Sequence, residues 1–113
     1  MLIVDDHEGF RIAARALLEA DGFDVIGEVG NGIEALEAAA ALRPDIVLLD
    51  IQLPGLDGFG VAERLAEVAE APAVVLVSSR DAIAYGSRLT QTRARGFIPK
   101  SGLSGDALAA LVG

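Results

Sequence analysis

A chain of 113 residues with 52% hydrophobic side chains and a mean hydropathy of +0.47 is one globular domain with a real core, not a disordered segment and not two domains. Its 17 acidic and 9 basic residues leave a net charge of −8, which disfavours direct nucleic-acid binding, and the absence of cysteine excludes disulfides and thiolate metal sites. No apolar run is long enough to cross a bilayer, and Asp5-Asp6 interrupts the apolar start, so no membrane association and a cytoplasmic location are expected.

In chain order, the apolar run Leu2-Ile3-Val4 reads as a first strand, closed by Asp5 and Asp6. From Glu8 to Ala20, Phe10, Ala13, Ala14, Leu17 and Leu18 fall at the i, i+3, i+4, i+7, i+8 spacing of a helix with one buried stripe. Asp6 or His7 can cap it and Gly22 ends it; His7 reads as a capping or surface residue, not as a ligand or phosphoacceptor. Asp24 to Glu28 reads as a short strand centred on Val25 and Ile26, and Asn31 followed by Glu34 resembles a capping box opening a second helix. Arg43-Pro44-Asp45 breaks that helix. Two runs, IVLL before Asp50 and AVVLV before Ser78, are apolar at successive positions, the pattern of parallel strands covered on both faces.

Between those strands Val61, Leu65 and Val68 mark a third amphipathic helix that stops near Pro72. The fourth helical stretch, Asp81 to about Arg93, has only Ile83 and Leu89 as large aliphatics and carries Gly86 inside it, so it is expected to be loosely held. GFIP forms a last strand before Lys100, the only lysine of the chain, and Ser104 can cap a final helix carrying Leu108 and Leu111. A β-α unit repeated five times predicts an α/β fold. The expected form is a doubly wound, five-stranded parallel sheet of flavodoxin-like order 2-1-3-4-5, with helices on both faces and strands 1 and 3 adjacent.

Open sheets of this kind bind ligands at the carboxyl ends of their strands, which is where Asp5, Asp6, Asp50, Ser78 and Lys100 fall. Crowded carboxylates repel unless a cation joins them, and a hard divalent ion with a phosphate oxygen fills such a site. An isolated Asp pair is more often a helix cap than a ligand pair. Asp50 tips the reading, because an ionisable group closing an apolar strand costs free energy unless paired or metal-bound. Ser78 alone is a commonplace strand end, and Phe97 alone is most simply core.

With these residues placed, the chain resembles the receiver domain of bacterial two-component response regulators, over essentially residues 1–113. The segments DDHEGFR, VIGEVGNGIEAL and RARGFIPKS are similar to the LuxR-type class, whose receiver precedes a helix-turn-helix domain. The resemblance implies that Asp50 accepts a phosphoryl group from a sensor histidine kinase. It also implies that Asp5, Asp6, Asp50 and the backbone carbonyl of Gln52 hold Mg²⁺ or Mn²⁺, that Lys100 and Ser78 contact the phosphoryl oxygens, and that Phe97 is the switching aromatic beside Ser78. The implied role is a signalling switch that catalyses only its own phosphorylation and dephosphorylation and regulates a transcriptional output. A DNA-binding output domain is expected in a longer parent protein and is absent from this chain; self-association is a further expectation.

Two positions depart from the family pattern: Ser101 follows Lys100 where proline is common, and Phe97 replaces tyrosine. A haloacid dehalogenase-type phosphatase also uses a strand-end aspartate, but needs a second aspartate where this chain has Gln52. A receiver-like module without phosphorylation would not need the full set of Asp5, Asp6, Asp50, Ser78 and Lys100. Charge is divided unevenly, with residues 1–70 strongly acidic and residues 71–113 net basic through Arg80, Arg88, Arg93, Arg95 and Lys100. The basic third reads equally as a partner surface or as a solvated face.

Overall fold

The computed structural model describes residues 1–113 as strands and helices in strict alternation. Their order is β1 (Leu2–Val4), α1 (Glu8–Ala20), β2 (Gly27–Val29), α2 (Gly32–Leu42), β3 (Ile46–Asp50), α3 (Gly58–Ala66), β4 (Ala73–Ser78), α4 (Ser87–Gln91), β5 (Gly96–Pro99) and α5 (Gly105–Val112). Short 3-10 turns cover Ala82–Ala84 and Lys100–Gly102. The sheet is parallel throughout, in the order β2-β1-β3-β4-β5. This is the doubly wound α/β topology read from the sequence.

Strand side chains alternate between two cores because successive residues point to opposite faces. Leu2, Val4, Val47, Leu49 and Leu76 pack with Ala35, Val61, Ala62 and Leu65 of α2 and α3. Ile3, Leu48, Val75 and Val77 pack on the other face with Ala14 and Leu18 of α1 and Leu108 of α5. Since both faces are covered, the strands carry no polar alternation, and the sheet interior is closed to water. Caps match the sequence signals: the Asn31 side chain accepts from the Glu34 N–H at 2.8 Å, and the Ser104 hydroxyl accepts from the Ala107 N–H at 3.0 Å.

Three elements differ from their sequence expectation. The second strand lies at Gly27–Val29, not at Asp24–Glu28. β1 is only three residues long and pairs Leu2 with Gly27 and Val4 with Val29, so the length of its partner sets the register. Val25 is buried in the core on the α1 side while Ile26 is half exposed. The third helix ends at Ala66, leaving Val68 outside it and half exposed, and Glu70 at φ 56° turns the chain toward β4.

The fourth helical stretch is broken at Gly86, whose φ of 55° and ψ of −130° belong to no helix. What remains is the 3-10 turn and the five-residue α4, neither of which buries a residue fully. Its anchoring is nevertheless more extensive than its aliphatics suggested. Tyr85 packs edge-on between Phe59 (ring centroids 5.8 Å apart) and Phe97 (6.1 Å). Arg88 pairs with Asp57 at 3.0 Å and lies 4.2 Å over the Phe59 ring, and Arg93 pairs with Glu63 at 2.9 Å and Glu67 at 3.3 Å. Two of the arginines that made the basic third look like a free partner surface are thus bonded to the α3 side of the domain. These are exposed pairs, screened by solvent and weak contributors to stability. Arg93→Ala is expected to leave global stability nearly unchanged, while amide exchange rises locally over residues 87–95; a uniform rise across the sheet would show that the pair supports the whole core instead.

Candidate functional site

Parallel register brings the ends of the central strands level: Val4 lies opposite Leu49, Asp50 opposite Val77, and Ser78 opposite Pro99. The next residues out, Asp5 after β1 and Lys100 after β5, therefore reach the same edge as Asp50 and Ser78. Asp5, Asp50 and Ser78 are the buried polar residues of the chain, with Asp5 and Ser78 fully covered and Asp50 2% exposed. Asp6 and His7 lie at the rim, 36% and 71% exposed at the side chain.

One oxygen of Asp5, Oδ1, accepts from the His7 backbone N–H at 2.8 Å and lies 3.2 Å from the His7 ring nitrogen Nδ1. The other, Oδ2, is buried and lies 2.6 Å from Nζ of Lys100, the one cation it pairs with. Lys100 Nζ also stands 3.5 Å from Oδ2 of Asp50 and 4.3 Å from the centre of the Phe10 ring. Asp50 Oδ1 accepts from the Gln52 backbone N–H at 3.1 Å. Burial, then the nearby charge of Asp5, push the Asp50 carboxyl up to about 6, against the opposing pull of Lys100.

The site therefore holds more negative charge than its one ammonium balances. Ligand atoms of Asp5, Asp6, His7 and Asp50 all lie within 4.8 Å of one another. With three carboxylates, two of them buried, sharing one ammonium, this fits a hard divalent cation, which takes oxygen ligands from carboxylates and carbonyls. The loop after β3 is shaped for the site as well. Gly58 N–H donates to the Ile51 carbonyl at 2.9 Å, and a β-carbon at Gly58 would collide with the carbonyl oxygen of Asp50. Asp57 caps α3 by accepting from Gly60 N–H at 3.0 Å.

Asp5, Asp6, Asp50, Gln52, Ser78 and Lys100, assigned to the site from the sequence, lie at this edge; Phe97 sits two residues back from it, opposite Leu76. Phe97 is on β5, half-buried, on the face where Tyr85 packs. Gln52 is exposed and touches Asp50 through its backbone. The Lys100–Ser101 peptide is trans, as every peptide bond is, and Lys100 opens a 3-10 turn. His7 holds the N-cap position of α1 without a side-chain cap bond and leans on the two acidic residues before it, Nδ1 being 3.1 Å from Oδ1 of Asp6.

Three participants escaped the sequence reading. Arg11 donates to the Asp5 carbonyl at 2.6 Å while pairing with Glu28 at 3.1 Å, which fixes the backbone of the acidic pair. Phe10 supplies the ring beside Lys100. Tyr85, the only tyrosine, places its hydroxyl 2.5 Å from the Ser78 hydroxyl. The helical stripe could have flagged Phe10; nothing in the spacing of Tyr85 from Ser78 signals their contact.

Residues 1–112 match the response regulator receiver domain. Among solved structures, the chain is similar to the signal receiver domain of NarL from Mycobacterium tuberculosis, with a TM-score of 0.86 and 32% identity over 99% of this chain and 94% of that one. It is also similar to a LuxR-family two-component response regulator from Aurantimonas sp. SI85-9A1, with a TM-score of 0.84 and 26% identity over 96% of this chain and 78% of that one. It is 39% identical to BvgA of Bordetella pertussis, whose name describes positive transcription regulation of virulence factors, over 88% of this chain and 48% of that protein. The chain thus spans about half the length of the curated relatives it matches.

Proposed function

The chain belongs to the response regulator receiver domains, and on that premise we propose that it is a phosphorylation switch in which Asp50 accepts a phosphoryl group from a sensor histidine kinase. The observation that carries this reading is the convergence of Asp5, Asp6, Asp50 and Lys100 at one sheet edge, with Asp50 buried and its carboxyl pushed up to about 6. A phosphoacceptor must be an anion, reachable in line, and supported by charges that meet the incoming oxygens.

Asp5, Asp6 and Asp50, with the carbonyl of Gln52, would hold Mg²⁺ or Mn²⁺. Bound there, the ion screens the negative charge of the carboxylate and the phosphoryl oxygens from each other. An oxygen of Asp50 attacks phosphorus, the phosphorus–nitrogen bond of the donor phosphohistidine breaks, and the imidazole leaves with the electron pair and takes up a proton from water. Lys100, a compact ammonium on a flexible stem, moves from the Asp5 carboxylate toward the new phosphoryl oxygens, and Ser78 donates a hydrogen bond to another of them. The domain performs no further turnover; hydrolysis of the acyl phosphate resets it. The surface formed by α4, β5 and α5 then changes its pairing with a partner, either a second copy or a DNA-binding output domain in the parent protein, which places the switch in cytoplasmic transcription control.

Incubation with acetyl phosphate and MgCl₂, followed by intact-mass and peptide mapping, tests the reading. One phosphoryl addition on Asp50 is expected, lost on chelation or in Asp50→Asn; phosphate mapped to His7 or a serine with Asp50 untouched would refute it. Lys100→Ala is expected to leave the fold intact and to uncouple phosphorylation from the surface change, and Lys100→Arg to substitute poorly, since a planar fork does not mimic a point charge. Phosphorylation-dependent exchange at wild-type level in either variant would remove Lys100 from the mechanism.

A further inference from the structure

We propose that Tyr85 is a positioning residue that withholds the Ser78 hydroxyl from the phosphoryl group, so that phosphorylation has to break the Ser78–Tyr85 bond. The inference rests on the phosphoacceptor reading of Asp50 and deepens it. Ser78 is fully covered, and its hydroxyl has two neighbours: the Arg80 backbone N–H, which donates to Oγ at 3.0 Å, and the Tyr85 hydroxyl at 2.5 Å.

A serine hydroxyl has one proton to give and two lone pairs. With Arg80 on one lone pair, either Ser78 gives its proton to Tyr85 or it accepts a second donor and its own proton is left without an acceptor in a closed pocket. The contact admits either oxygen as donor; burying an unpaired donor costs about 1–3 kcal/mol, and Ser78 is fully covered while Tyr85 is half-buried, so this balance assigns the donation to Ser78. The Ser78 proton is then committed to Tyr85. A phosphoryl oxygen on Asp50 can accept it only after that bond opens.

The consequence reaches the surface because of where Tyr85 sits. It closes the 3-10 turn Ala82–Ala84, in which Ile83 is 92% exposed, and precedes Gly86, the break before α4. Neither of the two short helices it joins buries a residue; beside the exposed Arg88–Asp57 pair and the half-buried Leu89, Tyr85 is the one side chain of this segment that reaches the site, through its hydroxyl bond to Ser78 and its ring contacts to Phe59 and Phe97. Release of the hydroxyl removes the segment's tie to Ser78 and leaves residues 82–91 held by the exposed Arg88 pair and by ring and Leu89 packing, so they shift more readily. Phe97, which lacks a hydroxyl, acts as the ring against which Tyr85 moves and makes no polar contact of its own to Ser78.

Tyr85→Phe removes the hydroxyl and keeps the ring, so the packing with Phe59 and Phe97 and the thermal midpoint are retained. The rate of acetyl phosphate modification at saturating MgCl₂ and the beryllofluoride affinity are measured for wild type, Y85F, S78A and the double variant. Y85F is expected to gain about threefold to tenfold in both, the range of one hydrogen bond released. Its amide exchange over residues 79–92 should resemble that of phosphorylated wild type before any phosphate is added. In the S78A background the Y85F gain should vanish, because the partner is gone. A Y85F rate equal to or below wild type, or the same gain with and without Ser78, overturns the proposal. Wild type that takes no phosphoryl group at Asp50 would instead overturn the underlying reading of the site.

Discussion

Asp50→Asn is expected to stabilise the metal-free domain by on the order of 3 kcal/mol at pH 7.5 while abolishing phosphoryl acceptance. Asp50 titrates at about 6 in the fold against an ordinary 3.8 because burial and the charge of Asp5 oppose its ionised form. A carboxyl raised in this way carries no penalty below pH 3.8, where it is protonated in both states. The penalty grows between about pH 4 and 6 and is complete above pH 6. Wild type in a chelator should therefore lose stability over that window relative to the asparagine variant, and the two curves should meet near pH 4. An added divalent ion should act in the opposite sense, binding the folded carboxylates and stabilising wild type by mass action with little gain for the variant. Urea unfolding from pH 4 to 8, with EDTA or with MgCl₂, measures all of this. A variant less stable than wild type in EDTA at pH 7.5 would mean that the attraction of Lys100 at 3.5 Å outweighs burial and repulsion.

Gly58→Ala is expected to destabilise the domain by about 1–3 kcal/mol and to weaken divalent binding. Helix propensity alone predicts the reverse, since alanine is better than glycine by about 1 kcal/mol in a helix interior, and Gly58 opens α3. The clash decides the sign. A β-carbon there would meet the carbonyl oxygen of Asp50 and, at 2.6 Å, the Cα of Ile51, both parts of a backbone with no side-chain slack. The loop from Ile51 to Asp57 must then move away from β3, carrying with it the Gln52 N–H that holds Asp50 Oδ1. Urea midpoints and a Mg²⁺ titration followed by amide shifts give both numbers; a variant as stable as wild type with unchanged Mg²⁺ affinity would show that the loop accommodates the methyl group.

The unequal legibility of the chain has a physical basis. Periodicity reports burial, so elements held by an apolar stripe were readable: α1 runs from Glu8 to Ala20 as its spacing indicates, and the buried runs before Asp50 and Ser78 are β3 and β4. Strand order followed from right-handed crossovers and from helices on both faces of the sheet. The place where the strands end is also local information, which is why Asp5, Asp50, Ser78 and Lys100 could be brought to one edge from sequence alone.

Position within that edge was decided by tertiary structure. β2 slid to Gly27–Val29 because the length and register of β1, not the apolarity of Val25 and Ile26, choose the paired residues. The region after β4 broke at Gly86 and is tied down by Tyr85, Arg88 and Arg93, whose partners lie 26 to 31 residues away in α3 and the loop before it, or across the sheet edge at Ser78. Polar and aromatic contacts of that kind leave no period in a sequence. What the chain by itself determined is the fold and the set of charged groups at one sheet edge; only the folded packing decided which hydroxyl Ser78 touches and how Lys100 divides itself between Asp5 and Asp50, because such contacts are made by distance and direction, which neither spacing nor periodicity records, whether the partners are near in the chain or far apart.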